Sequence, residues 1–174
     1  MENLKIYVGT YAKYNNGSIA GEWLDLLNYE NFDELKKAML NLHRDENDPE
    51  FMIQDWECDD LFESLGLISE SGISNDIYNI LEAINDSYYD IEVFNSYCNI
   101  YGMYSNNIDE IIEQVEEAYC GEFSNDIEFV ENLLKDTGCI PDNLPSYIYI
   151  DWERTARDIM MDYSTDNNRY FRNL

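Results

Sequence analysis

Between Arg44 and Lys135 the chain has no lysine and no arginine, yet residues 45–134 carry 24 Asp or Glu. A helix lying wholly within this stretch cannot balance its acids with a base three or four residues away, the usual arrangement on a solvated face. Histidine is nearly absent too. His43, in "LHRDEND", is the single one, which excludes an H-E-x-x-H zinc site and any His-bearing triad placed elsewhere. At a predicted helix end, it reads as a surface side chain. No G-x-x-x-x-G-K-[ST] and no G-x-G-x-x-G occurs, so phosphate-cradling loops are missing. The four cysteines (58, 98, 120, 139) form no C-x-x-C pair; neither a zinc ribbon nor a dense disulfide framework fits, and reduced thiols in a cytoplasmic protein are expected. Neither a charged-then-apolar leader nor an apolar run near 18 residues is present, so secretion and membrane spanning are not expected.

What is present argues for a folded protein. The chain has 174 residues, 45% hydrophobic and 14% aromatic, with 15 Tyr and 3 Trp. Acidic disordered segments lack such side chains. The net charge of −27 is unevenly spread: residues 1–44 hold five bases and six acids, and residues 135–174 hold five bases and seven acids. A genome-wide acidic drift would spread the imbalance along the chain; here it is central.

The residue pattern predicts an α+β chain of small domains. "LKIYVGTYAKY" (4–14) reads as a strand with Ile6 and Val8 on one face, "NNGS" (15–18) as a hairpin turn, and "IAGEWLDL" (19–26) as the returning strand. Residues 31–42 place Phe32, Leu35, Met39 and Leu42 at helical spacing behind an Asn31 cap, and 50–57 reads as a third strand. These make a β-β-α-β domain, 1–60. A helical acidic middle, 61–105, follows, with one stripe of Ile77, Ile80, Leu81, Ile84 and Tyr88 behind Ser74, and another of Ile91, Phe94, Cys98 and Tyr101 stopped at Gly102. Residues 106–174 form an α+β domain. Asn107, with Glu110 in capping-box position, opens a helix burying Ile108, Ile111, Ile112, Val115 and Tyr119, and Gly121 suits its stop. Ser124 caps the next helix, which buries Ile127, Val130 and Leu134. "SYIYIDWE" (146–153) reads as a strand entering a helix with Trp152, Ala156, Ile159 and Tyr163 on one face, and "NNRYFRNL" as a last strand. "QDWE" and "IDWE" share a tripeptide after strand-like runs, a weak sign of related ends.

"IDEIIEQVEEAYCGEF" (108–123) holds six carboxylates and no base. Asp109, Glu110, Glu113, Glu116 and Glu117 lie off the apolar stripe, with like charges at i,i+3 or i,i+4, at a cost of roughly 1–2 kcal/mol. A solvated face needs no function but leaves the 90-residue lack of bases unexplained. Paired carboxylates could serve glycoside hydrolysis, but 37 acids make close pairs inevitable. "DENDPE" (45–50) approaches calcium-loop spacing without the central Gly or the final Glu. Duplex DNA carries one charge per ~1.7 Å, so 24 carboxylates match about 40 Å of duplex. A folded surface of that density attracts proteins with grooves built for DNA. An alternative partner is another DNA-binding protein, such as a nucleoid protein or a repressor.

"IYVGTYAKYNNGSIAGEWLDL" (6–26), "FMIQDWE" (51–57), "IIEQVEEAYCGEF" (111–123) and "YIDWERTARDI" (149–159), in this order, resemble ArdA-type antirestriction proteins. Residues 111–123 match that family's antirestriction motif through Val115, Tyr119, Gly121 and Phe123. The motif usually opens with Leu and has Phe where Ile111 and Val115 stand, so agreement there is in character. Over 61–105 the correspondence is one of helicity and charge. The resemblance implies an elongated three-domain DNA mimic that inhibits type I restriction-modification enzymes, and in some cases their modification activity, with the methyltransferase core as the expected partner. It also implies a homodimer through the C-terminal part and no cofactor; beside it, no metal site, no catalysis, and no direct binding of nucleic acid or membrane are expected. Asp109, Glu110, Glu113, Glu116, Glu117 and Glu122 would then be phosphate surrogates. The same role extends to Asp76, Glu82, Asp86, Asp90 and Glu92 before the motif, and to Asp126, Glu128 and Glu131 after it. Val115, Tyr119, Gly121 and Phe123 would shape the motif or contribute to the dimer.

Overall fold

Ile6 and Val8 are fully buried while Lys5 before them and Tyr7 between them are not, the two-residue alternation of a strand with one face on a core. This strand, β1 (Lys5–Thr10), stops sooner than its sequence suggests. The Thr10 side chain accepts the Lys13 amide at 3.3 Å and so caps a short helix, α1 (Tyr11–Asn15). The hairpin turn predicted at 15–18 is thus a longer connection through a helix. The return strand, β2 (Glu22–Asp25), still pairs antiparallel with β1, Lys5 opposite Asp25. The Asn31 cap holds, its side chain accepting the Glu34 amide at 3.1 Å at the start of α2 (Phe32–Leu42). The third strand, β3 (Phe51–Glu57), completes a sheet ordered β2-β1-β3.

The computed structural model describes residues 4–102, 107–141 and 143–173. It is α+β and divides into two compact units, Met1–Ile91 and Glu92–Leu174. The boundary expected at 105/106 lies outside the described residues. The first unit continues through a short helix α3 (Asp60–Ser64), a two-residue hairpin of β4 (Ile68–Ser69) and β5 (Gly72–Ile73), and α4 (Ile77–Asp86). Ile77, Ile80, Leu81 and Ile84 are buried as their spacing predicts; Tyr88, assigned to the same stripe, lies beyond the helix end and is 94% exposed. His43 is corrected as well. It ends α2 but is buried at 1% exposure, with Nε2 3.1 Å from the Val8 carbonyl and Nδ1 3.0 Å from the Lys13 ammonium.

The second unit comprises nearly all of α5 (Ile91–Tyr101), then α6 (Ile108–Ala118), β6 (Tyr119–Glu122), α7 (Asp126–Asp136), α8 (Trp152–Ile159), β7 (Tyr163–Asp166) and β8 (Arg169–Arg172). Its sheet runs β6-β8-β7, all antiparallel. Gly102 ends α5 with φ +75°, a backbone open to glycine at little cost. Successive residues of the central strand face opposite ways. Tyr170 stacks on Phe129 of α7 (centroids 4.5 Å apart) and packs with Val130 and Ala156. Phe171 meets Tyr97 of α5 at 6.0 Å and Tyr119 at 5.2 Å. The unit is therefore layered, with α5 and α6 on the Phe171 side and α7 and α8 on the Tyr170 side.

Four expectations in this unit change. Gly121 does not stop α6; the helix ends at Ala118 and passes directly into β6, where Gly121 lies at a register shift with φ +122°. The cap of α7 is Asn125, whose side chain accepts the Glu128 amide at 3.0 Å, while Glu128 accepts the Ser124 amide at 2.8 Å. That moves the buried stripe to Phe129 and Val130 and leaves Ile127 36% exposed. Residues 146–151 form no strand, and Tyr147 and Tyr149 are 79% and 88% exposed. The shared tripeptide therefore ends a strand at Asp55–Glu57 but begins a helix at Asp151–Glu153, where Asp151 accepts the Arg154 amide at 3.1 Å. The tail strand is found as β8, hairpinned to β7 through Asn167 and Asn168 at positive φ.

Candidate functional site

Helix α6 separates its chemistry cleanly. Asn107 caps it by accepting the Asp109 amide at 3.1 Å, and Ile111, Val115 and Ala118 are buried, Ala118 being a core residue the periodicity missed. Asp109, Glu110, Glu113, Glu116 and Glu117 are all exposed, as is Glu122 on β6. On α7, Asp126 and Glu128 are exposed and Glu131 is half-buried. Because α6 and α7 cover opposite faces of the sheet, their acids form two surfaces of the unit. In the first unit Asp76, Glu82, Asp86 and Asp90 are exposed at α4 and the turn after it, and Glu92 is exposed on α5 in the second.

The tertiary structure also supplies bases that the local sequence lacks. Arg169 and Arg172 of β8 lie 3.6 Å from Glu92 and Glu117, while the local i,i+4 pair within α7 sets Lys135 2.6 Å from Glu131. Each pair has an exposed carboxylate or ammonium, although Arg169 itself is half-buried; surface pairs are worth about 0–1 kcal/mol each, so they lower the charge locally without building a rigid network. Two acids have local work. Asp126 accepts the Tyr170 hydroxyl at 2.8 Å. Glu128 accepts the Ser124 amide, which holds its carboxyl below the usual range.

The motif residues are packed within their own unit. Val115 is fully buried. Tyr119 lies against Phe171, and Phe123 against Phe129 at 5.3 Å and Tyr170 at 5.7 Å. The Phe123 amide donates to the Asn168 carbonyl at 3.0 Å. A Cβ at Gly121 would sit 3.1 Å from the Phe123 ring in a backbone conformation that L side chains rarely adopt.

The sequence reading passed over exposed acids at the start of the base-free stretch: Asp55 and Glu57 on β3, Asp60 and Glu63 on α3, and Glu70 in the small hairpin. Their signal was the same absence of bases, without a helical stripe to draw attention to them. Asp45 and Glu46 are engaged differently. The Lys13 ammonium lies 3.0 Å from Asp45 and 3.4 Å from Glu46, and its hydrogen bond holds the Asp45 carboxyl below its ordinary range. With His43 Nδ1 beside it as well, this ammonium fills the place a bound cation would take.

Among the described residues no helix is long and apolar enough to cross a membrane. A comparison with curated proteins found no match. The family model described as antirestriction protein (ArdA) matches residues 6–172, nearly the whole length. The chain belongs to the ArdA antirestriction protein family.

Proposed function

We propose that the chain is a DNA-mimic inhibitor that occupies the DNA-binding groove of a type I restriction-modification enzyme and blocks restriction. The carrying observation is α6. Its apolar side is buried while Asp109, Glu110, Glu113, Glu116 and Glu117 all stand in solvent, so the fold holds like charges together that would repel in a flexible chain. Carboxylates one helical turn apart are about 5–6 Å apart, comparable to phosphates along a strand. Arg and Lys that normally meet phosphate would meet this surface. A prefolded mimic also avoids the ordering cost of an acidic tail. The methyltransferase core is the contact this reading favours, and occupying it would block modification as well.

The same proposal treats 1–60, 61–105 and 106–174 as the functional segments and includes a homodimer through the C-terminal part. Support for the dimer comes from the near-neutral composition of residues 135–174 and from the exposed Tyr147, Tyr149 and Met161.

The test is expression in a host with a type I system, challenged by unmodified phage. Plating should rise toward that of a restriction-deficient host; plating as restricted as without the protein counts against the proposal for that system. In vitro, binding to the methyltransferase core should compete with duplex DNA and weaken steeply with salt, and salt-insensitive binding would contradict phosphate imitation. Retention of a nucleoid protein or repressor instead of the restriction enzyme would favour the broader acidic-module reading.

A further inference from the structure

Carboxylates imitate only the phosphates of DNA. Proteins that handle DNA also touch its bases, by stacking aromatic rings or arginine planes on them, and an enzyme that modifies a base takes it out of the stack. One neutral aromatic side chain of this molecule is presented as such a base would be. Tyr88 is 94% exposed, the most exposed large apolar side chain among the described residues, and Asp86 and Asp90, two residues away on either side, are exposed too.

Its position is built. Helix α4 ends at Asp86, and Ser87 leaves the helix in an extended conformation (φ −69°, ψ 158°). The Ser87 hydroxyl donates to the Ile84 carbonyl at 2.7 Å and accepts the Tyr89 amide at 3.4 Å, which ties the turn on both sides of Tyr88. Tyr89 is half-buried and sets its ring edge-on to that of Tyr88, with centroids 5.9 Å apart. The chain thus seats one tyrosine and holds the next in solvent, between two carboxylates.

We infer that Tyr88 is a contact residue of the inhibitor, its ring taking the place of a nucleobase against stacking or cationic groups in the DNA-binding groove of the partner. This rests on the DNA-mimic reading and adds to it a contact that does not depend on charge. The ring offers a π-face of the kind a base offers, attracts guanidinium groups through its quadrupole, and carries a hydroxyl that can stay hydrated or bond at the rim.

Salt separates the two kinds of contact. Competition between the full-length protein and a labelled DNA duplex for the methyltransferase core of a type I enzyme is measured from low to high salt. Tyr88→Ala should weaken binding about 10-fold at every salt concentration, within the range for losing one stacked base, with an unchanged slope of log affinity against log salt. Tyr88→Phe should remain within about threefold of wild type, keeping the π-face. The double variant Asp86→Asn, Asp90→Asn should make the slope shallower. Thermal unfolding midpoints should be equal for all, as expected of exposed side chains. If Tyr88→Ala competes as well as wild type, the inference fails while the mimic reading stands. A changed slope, or a loss that tracks a lowered unfolding midpoint, also overturns it. If the wild-type protein does not displace DNA, both fall.

Discussion

Tyr170 shows how one side chain joins the core to the acidic surface. Its ring stacks on Phe129 and its hydroxyl bonds to Asp126. Burial, and then the hydrogen bond and charge of Asp126, push its pKa up to about 12 from an ordinary value of 10.0. A folded-state pKa above the unfolded one means that this contribution is complete below pH ~10 and is lost as pH rises through ~12. Two pKa units correspond to at most about 2–3 kcal/mol. Denaturant midpoints of the wild type should therefore fall more steeply between pH 9 and 12 than those of Tyr170→Phe, which has no proton to lose there. Parallel curves would show that the Tyr170–Asp126 bond contributes no linkage. The tail strand holding Tyr170 was legible from its sequence; its stacking partner was not, because one-residue uncertainty in the cap of α7 put Ile127 where Phe129 belongs.

At the scale of an element, α6 carries a conflict between stability and charge. Glu113 has Asp109 and Glu110 one turn before it and Glu116 and Glu117 one turn after, all exposed. Removing its charge relieves four like-charge pairs, so Glu113→Gln should stabilise the fold by about 1 kcal/mol at low ionic strength, and the gain should shrink in molar salt. Chemical denaturation at both salt levels checks this; an unaltered or lowered midpoint at low salt would mean the acids are better solvated than their spacing implies. Start, stripe and charged face of α6 could all be read from local pattern, since caps and periodicity act over four or five residues. Strand β6 could not. Tyr119–Glu122 becomes a strand by pairing with Arg169–Phe171, about 50 residues further along the chain, and no local signal marks such a pairing. Residues 146–151 show the converse: apolar alternation there suggests a strand, but no partner edge pairs with them among the described residues, so the aromatic side chains remain in solvent.

For the whole molecule, the consequence of distributed charge is collective behaviour. Long-range attraction is shared among many groups, so single carboxylate losses should each change inhibition little. Converting Asp109, Glu110, Glu113, Glu116 and Glu117 together to their amides should weaken inhibition strongly and flatten its salt dependence, with the fold retained. Phage plating and DNA competition for the single and combined variants provide the readout. A single substitution that abolished inhibition with the unfolding midpoint intact would point to a local contact in place of phosphate imitation.

The sequence by itself determined the sign and placement of the charge, the α+β class, the capped helices α2 and α6, and the family likeness, all of which are properties of composition or of neighbours along the chain. Only the tertiary structure decided that His43 is buried against Val8 and Lys13, that β8 brings Arg169 and Arg172 back to Glu92 and Glu117, and that α6 and α7 show their acids on opposite sides of one sheet. Each of these depends on which distant segments pair: in the first unit the pairing of β1 with β2 and β3, and in the second the burial of Phe171 and Tyr170 on the two faces of a single strand.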